Sequence, residues 1–133
     1  MHNNLSSSFY APDEQEMKQM PEDYRVQVST ETIKSANVST LDEEMASVEK
    51  VLCLKLDVQG YELNVLQGGE ITLQKTIFVL LEMNNHPYYA GGCQYFELDY
   101  FLRKRGFKLA DIIVSYRSPE RRIEEYDAIY QRV

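Results

Sequence analysis

The clearest pattern in the chain is a pair of apolar runs, each closed by an acid. Residues 51–56 are apolar except for Lys55, and Asp57 follows. Residues 77–81 are apolar behind Thr76, and Glu82 follows. Runs of this length, apolar at successive positions, are typical of central parallel strands buried on both faces. Between them, Gly60 precedes residues 61–67, where Leu63, Val65 and Leu66 sit at helical spacing. Gly68 and Gly69 end or interrupt that helix. Residues 84–92 form a loop with one proline and two glycines. Residues 94–105 predict a second helix, with Tyr95, Phe96, Leu98, Phe101 and Leu102 on one side and Gly106 at the C-cap. Residues 107–114 predict a third strand, 116–125 an exposed turn around Pro119, and 126–133 a final strand.

The order strand, helix, strand, helix, strand, strand argues for an α/β layer. The sheet is expected to be mostly parallel with an antiparallel C-terminal strand, because the last two runs are close enough for a hairpin. Upstream the signal is weaker. Residues 1–50 are polar, acidic and poorly periodic, with short strands predicted at 24–28 and 34–38. Thr40 or Asp42 is placed to cap a helix whose first turn is acidic. The expected organisation is one domain, with a polar segment at 1–50 and an α/β core at 51–133.

Composition narrows the function classes. Over 133 residues, 14 Lys and Arg face 21 Asp and Glu, a net charge of −7. The one basic run, Arg103, Lys104 and Arg105, falls where a helix ends and suits its dipole. Binding to nucleic acid or to an anionic membrane surface is therefore disfavoured. Cys53, inside an apolar run, reads as a small buried hydrophobe. Neither Cys53 nor Cys93 has a partner at metal-ligand spacing, so no metal site is expected and a reducing cytoplasm is the default. No apolar stretch is long enough to span a bilayer, and the first ten residues do not read as a signal peptide.

Residues 54–62 read Leu-Lys-Leu-Asp-Val-Gln-Gly-Tyr-Glu, and residues 65–69 read Val-Leu-Gln-Gly-Gly. Together they resemble the signature of FkbM-type methyltransferases. Thr40-Leu41-Asp42, Glu82, the helix before Gly106-Phe107, and Asp127-Ala128-Ile129-Tyr130 follow in the family's order. The likeness covers roughly residues 38–133, with a weaker echo at residues 6–9. It implies a Rossmann-like fold, S-adenosylmethionine as cofactor and a hydroxyl as methyl acceptor. The family's glycine-rich turn and ribose-binding acid have no counterpart before residue 57, and the first fifty residues hold no glycine. The expectation is thus a C-terminal half, with the first three strands missing.

Methyl transfer to oxygen needs an oriented hydroxyl and a proton acceptor. The candidates are Asp57, Glu82 and His86 for catalysis, with Asp57, Gln59 and Glu62 as cofactor contacts. Asp57 as a catalytic or cofactor acid rests on the resemblance; its plain alternative is capping the next helix. Glu62 could equally cap or salt-bridge that helix, and Gln59 could be an ordinary turn residue. His86 lies in the loop after the second strand, where a surface histidine is the ordinary finding. Asp57, Glu82 and His86 could together bind a divalent metal, but their spacing is not a recognised metal-ligand pattern. Tyr88, Tyr89, Tyr95 and Phe96 could line an acceptor pocket, and core packing explains Tyr95 and Phe96 equally well. Two functions follow: an O-methyltransferase acting on a small molecule or glycan, or a non-catalytic interaction module that self-associates through an exposed sheet edge.

Overall fold

The computed structural model describes residues 8–18 and 37–133, apart from the side chains of Glu16 and Met17. The strand predicted at 24–28 and most of that at 34–38 lie outside the described residues. The elements are α1 (Glu14–Met17), α2 (Leu41–Glu44), β1 (Val51–Leu56), α3 (Glu62–Gln67), α4 (Glu70–Gln74), β2 (Thr76–Asn84), α5 (Tyr95–Lys104), β3 (Phe107–Arg117) and β4 (Ile123–Arg132).

The described strands form one sheet in the order β1-β2-β4-β3. β1 and β2 are parallel, joined through α3 and α4, while β4 is antiparallel to both β2 and β3. The hairpin expected from the last two runs is present. The mostly parallel sheet is not: one of the three pairings is parallel. Strand–helix alternation runs from β1 through α5 to β3, and these three strands share a direction, but β2 and β3 are not paired with each other. β4 then inserts between β2 and β3, and both of its neighbours run against it.

Two further expectations are corrected. β1 is an edge strand of the described sheet, with Leu52 68 % exposed and Lys55 exposed. Cys53 is exposed as well, rather than buried. Apolarity along β1 does not report burial here, because no described strand pairs with its outer edge.

The core occupies one face of the sheet. Leu54 and Leu56 of β1, Val79, Leu81 and Met83 of β2, and Ala128 and Tyr130 of β4 point to that face at every second residue. Leu66 of α3, Leu73 of α4, and Leu98, Phe101 and Leu102 of α5 pack against them. Each such large side chain contributes about 1.5–3 kcal/mol by leaving water. Tyr95 and Phe96 are not part of this core: both are exposed at the start of α5.

Local chemistry sets the ends of the elements. Thr40 and Glu43 form a reciprocal capping box at α2. Asp42 caps a different helix, accepting from the backbone N–H of Ile71 and Thr72 in α4. Burial works to raise the Asp42 carboxyl, but these bonds and the Thr72 hydroxyl outweigh it and hold it below its ordinary value. Gly68 and Gly69 interrupt the helical stretch rather than end it. A Cβ on Gly69 would lie 2.6 Å from Leu41 Cδ2, so the missing side chain lets α2 dock there.

Candidate functional site

The site begins with strand register. Leu56 of β1 pairs with Leu81 of β2, so Asp57, just past the carboxyl end of β1, lies beside Glu82, two residues before the carboxyl end of β2. In open α/β sheets this end of the strands is where ligands bind. Asp57 is solvent-accessible and pairs with Lys55 at 3.1 Å.

The turn after Asp57 is held in a left-handed conformation. Gln59 has φ 53° and Gly60 φ 95°. Glu62 holds this turn from below. It is 4 % exposed, and its Oε1 accepts from the N–H of Val58 at 3.0 Å and of Gly60 at 3.3 Å. Its Oε2 accepts from the Cys93 thiol at 3.4 Å. Burial pushes that thiol up to about 12, so it stays protonated and remains a donor. The geometry thus gives Glu62 the work of shaping the turn. Gly60 also lets the 85–93 loop approach: a Cβ there would meet Gly92 Cα at 3.3 Å, and Cys93 N donates to Gly60 O.

Gln59 joins the two acids. Its Nε2 donates to Asp57 Oδ1 at 2.8 Å and, more weakly, to Glu82 Oε1 at 3.5 Å. Its Oε1 accepts from the Tyr89 hydroxyl at 2.8 Å, and its backbone carbonyl accepts from the Ser8 hydroxyl at 2.7 Å.

Glu82 has the most altered acidity of the candidate acids. Burial, then the carboxylates of Glu125 and Asp57, push it up to about 7, against a smaller opposing effect of a hydrogen bond with Asn84. It therefore exchanges a proton near neutrality, which suits a general base. Tyr88 is also raised, chiefly by burial and then by Glu125, so its phenol stays neutral.

His86 turns toward β4, where its Nε2 lies 3.4 Å from Oε2 of the buried Glu124. Among the described residues no three His, Cys, Asp or Glu side chains gather as metal ligands. No described helix is long and apolar enough to cross a membrane.

Sequence reasoning missed the N-terminal strap. Residues 8–13 run along the 88–90 loop. Ala90 N donates to Ala11 O, Asp13 N donates to Tyr88 O, and Pro12 bridges Tyr89. Phe9 and Tyr10 pack on Tyr61 with ring centroids 5.1 and 5.3 Å away. Ser8 falls within the weak family likeness at residues 6–9, but its partner Gln59 is distant in the chain, so no local signal could have found the pair.

A parallel β–α–β crossover in a mixed four-stranded sheet, with two acids side by side on its parallel strands, defines a small α/β protein. The family model of the methyltransferase FkbM domain matches residues 2–109, and the chain belongs to that family. The match starts well before residue 38 and stops at Leu109, so the likeness noted at 127–130 falls outside it. No curated protein and no solved structure matches the chain.

Proposed function

We propose that this chain contributes to a site for methyl transfer from S-adenosylmethionine to a hydroxyl group of a small molecule or glycan. The observation that carries the reading is the pair Asp57 and Glu82, side by side on adjacent parallel strands and bridged by Gln59, in a chain of the FkbM methyltransferase family. The donor set fits the cofactor's cationic end, because the accessible Asp57 carboxylate and the acids around Glu82 favour positive charge. Asp57 and Gln59 are the residues proposed to hold it. When bound, S-adenosylmethionine supplies an electrophilic methyl group.

The chain's own residues then have distinct work. Glu82, poised near neutrality, takes the proton that the acceptor hydroxyl loses as its oxygen is methylated. The half-buried Tyr88 and Tyr89 form an aromatic wall for the acceptor. His86 faces the buried Glu124 on β4.

Calorimetric titration of the chain with S-adenosylmethionine tests this reading. Saturable heat that is weakened by Asp57→Ala is the expected result. Absence of heat at millimolar ligand would remove cofactor binding from this chain.

A second reading is favoured by the exposed edge of β1, where Leu52 is open to solvent. Unpaired strand edges template pairing with another chain. We propose that this edge pairs with a second copy of the chain. Sedimentation should show a dimer that Leu52→Lys disperses; an unaltered monomer would contradict it.

A further inference from the structure

We propose that Tyr89 is a positioning residue: its hydroxyl fixes the Gln59 amide so that both N–H groups face Asp57 and Glu82. The inference rests on the reading of Asp57 and Glu82 as the working acids, and it assigns a role to a side chain that acts through Gln59.

The argument starts from the backbone. Gln59 sits at φ 53°, a left-handed conformation that costs a non-glycine residue roughly 1 kcal/mol. Glycine would occupy it freely, as Gly60 does beside it. A glutamine held there needs a return from its side chain, and the hydrogen bonds show it. The amide has one acceptor oxygen and two N–H donors. Two carboxylates lie on one side of it and one hydroxyl on the other. Turned the other way, the amide oxygen would face carboxylate oxygens and leave Asp57 and Glu82 without this donor. The Tyr89 hydroxyl donates to Oε1 at 2.8 Å and selects the productive orientation. Ser8 fixes the other end of the residue by donating to its carbonyl.

Tyr89 is itself anchored. Its backbone bridges Pro12, and the neighbouring Ala90 N donates to Ala11 O. The strap therefore holds the loop that holds Gln59.

A positioning role of this kind places one neutral donor between the two acids. Glu82 is faced by Asp57 after β1, Glu62 on α3, Glu125 on β4 and Tyr88 in the loop, and Lys55 adds an opposing positive charge. Asp127 is its cross-strand partner. In this acidic setting the Gln59 amide is a neutral donor to Glu82.

The test is a carboxyl-carbon NMR titration of the chain labelled at Asp and Glu. In Tyr89→Phe the amide is free to turn, and the Glu82 midpoint should rise, by about 0.3–0.7 pH units for one lost neutral donor. Tyr10→Phe, which removes a hydroxyl bonded to Asn64, should leave that midpoint in place. An unmoved Glu82 midpoint in a folded Tyr89→Phe would overturn the inference. Should that variant not fold, the unaltered chain still answers. The Gln59 side-chain amide nitrogen must shift in step with Glu82, and a resonance flat across that range would also overturn it. This readout needs no cofactor, so absent calorimetric heat would sink the methyltransferase reading alone.

Discussion

Leu56 stands beside Leu81 in parallel register, and that one pairing delivers Asp57 and Glu82 to the same end of the sheet. Each acid ends an apolar run, so the force that buries the runs also places the acids. The site's precision is thus tied to the core beneath it.

That coupling is tested by truncating the core below Glu82. Leu81 is fully buried, and Leu81→Ala leaves a cavity between β2 and the helices. Unfolding by urea should show a loss of about 2–5 kcal/mol. A loss below 1 kcal/mol would mean that the core tolerates the void by collapse.

Glu82 should lower stability at neutral and alkaline pH. Its carboxyl has an ordinary value of 4.5 and is pushed up to about 7 in the folded chain, chiefly by burial. Between those values the folded form keeps a proton that the unfolded form releases. Stability from this group is therefore complete below pH 4.5 and is lost as pH rises through about 7. Glu82→Gln stays neutral throughout. At pH 8 it should be more stable than the parent by about 1–2 kcal/mol, a figure reduced because the group is partly solvated. Near pH 4 the two should melt together.

Glu62 should behave as a structural acid. Its Oε1 accepts from the two backbone N–H groups of the 58–60 turn. Glu62→Ala leaves those donors unmet and should cost about 2–4 kcal/mol, read by thermal melting. Glu62→Gln keeps one acceptor oxygen and should recover part of the loss.

At α2 the capping box is the weaker test case. Thr40→Ala removes the side-chain acceptor for Glu43 N and should lower stability by about 1 kcal/mol in a denaturant titration.

Much of the fold is legible along the chain because its signals are local. The acids after the apolar runs, the Thr40 cap and Gly106 after α5 each announce themselves within a few residues. Membership of the FkbM family was legible too, in the residues around Asp57 and Gly60. The position of β1 at the edge of the described sheet was not, because an apolar run looks the same whether or not a neighbour covers it. Among the described residues nothing covers Leu52 or Cys53. The insertion of β4 between β2 and β3 was hidden as well, since pairing order carries no local mark. That Asp57 and Glu82 lie side by side could be read from the two apolar runs that precede them. The bond from Tyr89 to Gln59 and the bond from Ser8 could not, for each joins residues that meet only after the loops have docked.

The pH dependence of methyl transfer to a hydroxyl acceptor tests the central claim most directly. The account predicts a rate that rises through about pH 7 as Glu82 ionises, and a Glu82→Gln variant that is at least about 100-fold slower and lacks that limb. A Glu82→Gln variant with parental turnover and an unchanged pH profile would contradict it.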